Sequence, residues 1–359
     1  MNSKYIFSFF IGFFFLSCCI AGFNIIVDPL GNNGVISQKY KPIYNERTQK
    51  YNAIIKDEGY KKYSRYLLGS SRILNIHLDD KPFLKDLYNF GISGGINQQK
   101  FFVLEELCKK QPPEVVYFQI RFENFIEKPW ESPKDFANHF VDDPSSKLSF
   151  LLNSQLVKLS VRTLGYAAKD RKIAYLNKDG SITYREKENK IKTNGFDFSN
   201  KRFITSALEW KPRGTNYAIE SFQKIKDLAD KYKVKLVPFI VPEHGALFTY
   251  LMNSSRRDEY LQARRDLIDI FGWYYDFCGT HPVNMDNTNY YDSAHYRVNV
   301  GDMILGRILE REDMQEEGYG MKITADNVEE HIKNLQKEAV NSSFQQEVVA
   351  ATKKMTNKE

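Results

Sequence analysis

The sequence predicts an α/β fold, a doubly wound parallel sheet with an inserted subdomain and an N-terminal transmembrane helix, and three observations lead to it. Short apolar runs bounded by glycine or proline alternate with segments of helical spacing, which is the order of βαβ units. Residues 5–27 contain no charged side chain. A long stretch, residues 126–216, interrupts the alternation, which then resumes.

The alternating segments predict a core domain of residues 63–125 and 217–312. We expect strands near residues 66–68, 86–90, 115–120, 235–241 and 273–277, and helices at 97–110, 217–232, 256–271 and 300–309. In open sheets of this kind, ligands bind outside the carboxyl ends of the strands. The polar motifs considered below all lie at such ends.

The insertion, residues 126–216, is predicted to be either a substrate-binding lid or a structural elaboration. A helix is expected near 148–164 and a β-hairpin at 173–184, because the Asp179-Gly180 pair suits a tight turn that needs a positive φ.

Two further segments flank the core domain. Residues 28–62 are expected to be a linker that follows the apolar stretch. Residues 313–359 are expected to be a polar tail with a weak amphipathic helix at 328–340 and disorder in the last dozen residues.

The apolar stretch, residues 5–27, is long enough to span about 30 Å of hydrocarbon as a helix. It exceeds the apolar core of a cleavable signal peptide, and no clear small-x-small cleavage site follows it. We therefore expect an uncleaved signal anchor in a membrane.

Composition excludes several classes of protein. Hydrophobic residues make up 42% of the 359 residues, far from the composition of disordered chains. The net charge of +6 is spread without a long basic run, so no nucleic-acid partner is expected. Outside the apolar stretch only Cys108 and Cys278 remain, too few for a disulfide framework or a zinc site, and no metal or cofactor is expected. These two cysteines could form one disulfide or stay as buried thiols.

Two short motifs carry the chemistry of nucleophilic catalysis by serine. Gly69-Ser70-Ser71 follows a predicted strand, and glycine permits the tight turn that would lift a serine hydroxyl out of the sheet edge. In Asp292-Ser293-Ala294-His295 a spacing of three residues places the carboxylate and the imidazole on one side of a turn. The carboxylate can then orient the imidazole, whose other nitrogen faces the nucleophile.

These blocks resemble the SGNH, or GDSL-like, hydrolase superfamily. Gly69-Ser70-Ser71 is similar to its first block, residues 89–94 to its second, and residues 292–295 to its final Asp-x-x-His block. The resemblance implies that Ser71 is the nucleophile, that His295 is the base oriented by Asp292, and that Gly94 lends an amide to the oxyanion hole beside that of Ser71.

The chain is also similar to membrane-anchored envelope members of that superfamily which act in acyl decoration, such as the teichoic acid D-alanyl transfer and alginate acetylation proteins. Motifs that carry this likeness are Gly69-Ser70-Ser71-Arg72, Val27-Asp28-Pro29, Pro242-x-His244 and His295-Tyr296-Arg297. The resemblance implies an extracytoplasmic domain, in the periplasm or at the cell surface. The basic residues after the anchor do not favour that orientation by the positive-inside rule.

The third block of the superfamily, which usually supplies an asparagine donor, is altered here. After the strand at 115–120 the chain reads Arg121-Phe122-Glu123-Asn124. Arg121 or Asn124 could replace the donor, or the hole could rest on the amides of Ser71 and Gly94. Arg72, Arg121 and His244 are also candidate substrate-binding residues; for Arg72 a salt bridge, and for His244 a structural role, are the alternatives.

The function expected from these features is that of a serine esterase or O-acyltransferase acting on acyl esters of a cell-envelope glycan. A multispanning O-acyltransferase is a candidate partner for transfer. The alternative is a catalytically inactive SGNH-like domain that binds glycan or serves as a scaffold in an envelope assembly.

Overall fold

The computed structural model describes residues 3–29, 36–43, 46–127, 151–171, 173–184, 187–189, 200–209, 216–217 and 219–356. Its first element is a helix, α1, over Ser3–Val27. Residues 4–27 of this helix are long and apolar enough to cross a membrane, and most of them are exposed.

The core of the molecule is a mixed α/β unit with a mostly parallel sheet, as predicted. Its strands, in chain order, are β1 (Arg65–Ser70), β2 (Leu87–Ile92), β3 (Val115–Ile120), β8 (Lys235–Ile240), β9 (Trp273–Asp276) and β10 (Met321–Thr324). Their order in the sheet is β10-β9-β8-β3-β1-β2, with β10 alone antiparallel to its neighbour. The order reverses between β1 and β3, so the carboxyl end of β1 lies at the topological switch point.

Helices cover both faces of this sheet because its strands are buried on both. In β1, Tyr66 and Leu68 belong to one hydrophobic cluster, whereas Leu67, which points to the other face, belongs to a second cluster. The helices around the core are α3 (Asn97–Lys110), α6 (Glu220–Lys231), α7 (Gly245–Asn253), α8 (Arg257–Phe271), α9 (Pro282–Met285) and α10 (Val298–Ile308). Of these, α7 and α9 were not predicted.

The segment at 28–62, expected to be a linker, is partly built into the core. It contains the short helix α2 (Glu46–Tyr51), and Tyr51, Ile54 and Ile55 are buried in the main hydrophobic cluster. The Lys50 ammonium donates to the carbonyls of Asn89 (3.0 Å) and Gly91 (2.7 Å) in the edge strand β2. This segment therefore covers an edge that would otherwise be open to another strand.

Part of the insertion covers the same edge. Its described elements are β4 (Ile126–Glu127), α4 (Ser154–Ala168), β5 (Tyr175–Leu176), β6 (Ile182–Thr183), α5 (Asn200–Leu208) and β7 (Asn216–Tyr217). The predicted hairpin is confirmed as β5 and β6, with Gly180 at φ +84°. The carbonyl of Asp179 accepts from the amide of Asn89 at 2.8 Å, so the hairpin docks beside β2. The irregular start of the insertion, residues 128–150, lies outside the described residues.

The prediction of a polar tail after residue 312 is wrong for most of that segment. Strand β10 pairs with β9, and two helices follow, α11 (Val328–Asn341) and α12 (Gln345–Thr356). Ile323, Ile332 and Leu335 are buried in the main cluster. The helix expected at 328–340 is present, and the disorder expected for the last dozen residues is replaced by α12 as far as Thr356.

Candidate active site

Ser71 stands at the carboxyl end of β1, where it begins the 3-10 turn Ser71–Asn75. The preceding Gly69 packs against β3, and a Cβ at that position would lie 2.6 Å from the Gln119 side chain. The Gln119 side-chain oxygen accepts from the Ser70 amide at 2.6 Å. This contact fixes the chain just before Ser71, whose side chain is half-buried at the switch point.

The predicted triad residues meet at this point. Ser71 Oγ lies 3.0 Å from His295 Nε2. The other ring nitrogen, Nδ1, lies 2.9 Å from Asp292 Oδ1 and 3.0 Å from Oδ2. Because an ionised carboxylate only accepts hydrogen bonds, the proton of the neutral ring lies on Nδ1, and Nε2 is free to accept from the serine hydroxyl.

The loop that carries the acid and the base is closed on itself. Tyr290 and Tyr296 form an isolated antiparallel bridge, and the Tyr291 amide donates to the His295 carbonyl at 2.8 Å. Asp292 Oδ1 also accepts from the amides of Ala294 and His295, both at 2.9 Å. The carboxylate thus holds its own loop and the imidazole together.

The electrostatics of the site keep Asp292 ionised. Burial opposes the charged form, but the hydrogen bond and charge of His295, with the amide of Ala294 and the charge of Lys187, hold the pKa of the Asp292 carboxyl well below its usual value. An ionised carboxylate stabilises the imidazolium that forms when the histidine takes a proton.

Two side chains that the sequence did not single out join the loops of the site. Asn75, at the end of the turn that Ser71 begins, donates through Nδ2 to the Tyr296 carbonyl at 2.9 Å. Asn89 donates through its side chain to the carbonyls of Ile73 (2.6 Å) and Ile76 (2.9 Å). Asn75 therefore couples the nucleophile turn to the histidine loop, and Asn89 couples that turn to β2.

The loop after β2 carries the glycine predicted to serve the oxyanion. Gly94 has φ +64°, a left-handed conformation that favours glycine. The preceding residue, Ser93, is held by α2: its amide donates to Glu46 Oε1 at 2.8 Å and its carbonyl accepts from Arg47 Nη2 at 2.5 Å. The role of Gly94 as a donor stays a prediction.

Asn124 and Arg121 occupy positions that stabilise the turn after β3. Asn124 is fully buried, and its Oδ1 accepts from the Lys100 ammonium at 2.8 Å and the Arg121 amide at 3.3 Å. Arg121 donates through Nη2 to the Gly95 carbonyl at 3.1 Å, so it braces the glycine loop. Their predicted roles at the oxyanion and the substrate stay predictions.

Arg72 forms the salt bridges that were the alternative to a substrate-binding role, and the substrate-binding role stays a prediction. Its side chain is 2% exposed and lies 3.0 Å from Glu123 and 3.5 Å from Glu243. Burial opposes its charge, but these two carboxylates more than compensate and raise the pKa of Arg72. The guanidinium therefore lies beneath Ser71 in a buried ion cluster, which was the alternative role considered for it.

His244 is fully buried, which supports the structural role that was its alternative, and a contact with substrate stays a prediction. Its Nδ1 accepts from the Ala246 amide and caps α7, so Nε2 carries the proton and donates to Asn287 Oδ1 at 2.9 Å. Phe203 stacks on the ring at 4.1 Å. Burial lowers the pKa of His244 to about 4, which keeps the imidazole neutral.

The insertion contributes a clamp on the loop that carries Asp292 and His295, and sequence reasoning missed it. Glu188 accepts from the Tyr291 hydroxyl at 2.5 Å and pairs with Arg297 at 2.8 Å. The Lys187 ammonium lies 4.6 Å from the ring centre of Tyr184 and 5.2 Å from that of Tyr291. Burial lowers the pKa of Lys187, and the charge of Asp292 opposes that shift. No local pattern signals this clamp, because its partners are about a hundred residues apart.

Within the part of the chain that the structure describes, no cluster of histidine, cysteine, aspartate and glutamate could hold a metal ion. No protein-family model and no curated protein sequence matches the chain. The geometry of the site is thus the main guide to function.

Proposed function

We propose that this protein is a serine esterase or O-acyltransferase that acts on acyl esters of a cell-envelope glycan. The observation that carries the proposal is the 3.0 Å contact between Ser71 Oγ and His295 Nε2, with Asp292 on the other side of the ring. Nucleophile, base and orienting carboxylate are thereby in hydrogen-bond reach of one another, as acyl transfer by serine requires.

The chemistry follows from the protonation states of the three groups. His295 Nε2 takes the hydroxyl proton as Ser71 Oγ attacks the carbonyl carbon of the ester, and the amides of Ser71 and Gly94 are proposed to stabilise the resulting oxyanion. The imidazolium then protonates the leaving alcohol oxygen, and an acyl-serine remains. Water or a glycan hydroxyl next attacks the acyl carbon while His295 Nε2 accepts its proton, and the imidazolium then gives that proton to Ser71 Oγ as the bond between Oγ and the acyl carbon breaks.

The membrane location is part of the same proposal. Helix α1 is the anchor, and the domain after it lies outside the cytoplasm, where an envelope glycan is the acceptor within reach. A multispanning O-acyltransferase would supply the acyl group across the membrane. The apolar length of α1 and the resemblance of the motifs to envelope acyl-decoration proteins support this arrangement.

Labelling of the full chain with a fluorophosphonate probe tests the nucleophile. We expect a covalent adduct on Ser71 that is absent from the Ser71→Ala variant. The matched control is Ser254→Ala, which removes a half-buried serine that does not follow a strand of the sheet and should leave the adduct unchanged. An adduct on another serine, or no adduct in folded protein, would reject the proposal. Acyl-enzyme that persists in water until glycan is added would favour transfer over hydrolysis.

A second candidate is an inactive glycan-binding or scaffold subunit. The altered third block favours it, because Asn124, the asparagine in that block that could replace the usual donor, is fully buried. Loss of one donor typically costs about a hundredfold to a thousandfold in rate. Glycan binding that is retained in Ser71→Ala and in His295→Ala, together with the absence of any trapped acyl-enzyme in wild type, would support this candidate.

A further inference from the structure

Helix α4 of the insertion packs against the last turns of α1. Asn24 of α1 donates through Nδ2 to the Leu151 carbonyl, just before α4, and its Oδ1 accepts from the Ser160 hydroxyl, both at 2.7 Å. Asn24 is 2% exposed and Ser160 is fully buried. The contact is therefore a packed and hydrogen-bonded junction between the apolar helix and the insertion.

The junction lies at the end of the apolar helix. Residues Lys4–Val27 number 24, which at about 1.5 Å per residue is roughly 36 Å, against about 30 Å of hydrocarbon. The last turn, which contains Asn24, would therefore reach the interface with water. Asp28, which follows directly, forms an ion pair of 3.2 Å with Lys41. The contacts of Asn24 with Leu151 and Ser160 bring this part of α4 to the same level.

Three faces of α4 differ in character. The first is buried and carries Leu156, Ser160 and Thr163. The second is polar and carries Gln155, Lys158, Arg162 and Tyr166. The third is apolar yet largely open, and its residues follow one another at helical spacing: Val157, Val161, Leu164 and Ala168.

The apolar third face is the unusual one, because Val161 is 57% exposed and Leu164 is 40% exposed. The end of α1 that α4 contacts through Asn24 also exposes apolar side chains, among them Ile25 at 59% and Ile26 at 65%. If α1 spans a membrane, lipid covers the exposed apolar side chains of α1, and an exposed apolar face on a helix packed against α1 is within reach of the same lipid.

We propose that α4 is an interfacial helix whose face of Val157, Val161, Leu164 and Ala168 inserts into the lipid around α1; this rests on the membrane anchoring proposed above. Lys158 and Arg162 on the polar face, with Lys169 and Arg171 after it, then lie among the headgroups and favour anionic lipid. The occupant of the exposed face is the bilayer surface.

Membrane docking of α4 would fix the orientation of the whole domain. The chain after α4 is tied to the segment that follows α1, since Tyr40 donates to Asp170 at 2.5 Å and the Ile173 amide donates to the Lys39 carbonyl at 3.2 Å. It then continues into the hairpin that docks on β2. The domain is thus held against the membrane at two helices, α1 and α4.

Photocrosslinking of the full chain in nanodiscs of phosphatidylcholine and phosphatidylglycerol tests this docking. Val161→p-benzoylphenylalanine is compared with Arg162→p-benzoylphenylalanine, its neighbour on the polar face, and with Phe10→p-benzoylphenylalanine in α1. We expect lipid adducts, detected by mass spectrometry, at positions 10 and 161, and markedly fewer at position 162, because that side chain lies among the headgroups and not among the acyl chains.

Each other outcome overturns the proposal in an identifiable way. Adducts at 10 but not at 161, equal adducts at 161 and 162, or a crosslink from 161 to a second copy or to another protein segment would show that lipid does not cover this face. No adduct at 10 would remove the anchor and the docking with it. The readout needs no ester turnover, so failure of the proposed enzyme activity would be seen separately by fluorophosphonate labelling.

Discussion

Glu46 accepts a 2.8 Å hydrogen bond from the backbone amide of Ser93, one residue before the glycine proposed to serve the oxyanion. Burial opposes the charged form of Glu46, but the Ser93 hydrogen bonds dominate and lower the pKa of the Glu46 carboxyl. A residue from the segment after α1 therefore positions the loop that carries Gly94.

Replacement of Glu46 by alanine should consequently impair chemistry more than binding. We expect kcat for p-nitrophenyl acetate to fall by up to about a hundredfold, because a displaced oxyanion donor costs about as much as a missing one, with KM little changed. Glu46→Gln keeps an acceptor for the Ser93 amide and should recover most of the rate. Glu58→Ala, an exposed carboxylate of the same segment, is the control; equal losses in both variants would contradict the positioning role.

Ser70 and Ser71 should differ sharply as mutation sites. Ser70 is fully buried and its Oγ accepts from the Arg72 amide at 3.5 Å, as a cap of the turn. Ser70→Ala should cost about 1 kcal/mol of stability and little activity, whereas Ser71→Ala should lower kcat by roughly ten-thousandfold or more. Steady-state ester hydrolysis and chemical denaturation of both variants measure this. The opposite ranking would move the nucleophile by one residue.

His244 should make stability fall in mild acid. The unfolded chain protonates this histidine near pH 6.5, while the folded protein keeps it neutral down to about pH 4, so stability decreases as the pH drops through that window. The contribution is about 3 kcal/mol at most. His244→Asn retains a capping acceptor for α7 but cannot titrate, and urea unfolding in detergent at pH 7 and pH 4.5 should show a smaller decrease for the variant.

The matched control for this experiment is His281→Asn. His281 caps α9 in the same manner, since its Nδ1 accepts from the Val283 amide at 3.3 Å, but it is only half-buried. If the free energy of unfolding fell equally with pH in wild type and in His244→Asn, another group would be responsible for the loss of stability in acid.

Asp276 should be essential for attaching the C-terminal helices. Its Oδ2 accepts from Arg264 at 3.2 Å and from His331 of α11 at 3.0 Å, and the residue is buried. Burial opposes its charge, but Arg264 and His331 hold the pKa of Asp276 well below its usual value. Asp276→Asn leaves the Arg264 charge buried without its partner and should lower stability by about 3–5 kcal/mol.

The pH dependence of this contribution has a definite sign. The pKa of the Asp276 carboxyl is lower in the folded protein than in the unfolded chain, where it is about 4. Its contribution to stability is therefore complete above that pH and is lost as the pH falls below it. Measured by urea unfolding, the free energy of unfolding of Asp276→Asn should therefore decrease less in acid than that of wild type. Asp313→Asn, whose exposed carboxylate pairs with Arg311, should stay within about 0.5 kcal/mol of wild type. Comparable losses in both variants would argue against a buried ion cluster.

Local patterns were sufficient for the five parallel strands of the sheet and for the pairing of Asp292 with His295. The strand at 115–120 and the helix at 97–110 have the predicted bounds, because each is specified by apolar spacing and ended by nearby residues such as Pro112. Asp292 and His295 meet because three residues span one turn. Ser71 could be placed beside them because the carboxyl ends of parallel strands share one edge of the sheet.

Only the tertiary structure decided which polar side chains face the site and which are buried beneath it. Arg72 lies next to Ser71 in the chain, yet Glu123 and Glu243 surround it; His244 follows a strand at the active edge, yet Phe203 of the insertion covers it. Strand β10 is too short to stand out from its neighbours and exists because it pairs with β9. The sequence by itself determined five of the six strands of the sheet and the pairing of Asp292 with His295, since those depend on residues within a few positions of one another. Burial, ion pairing and edge pairing depend on side chains that are distant in the chain, and no local pattern contains them.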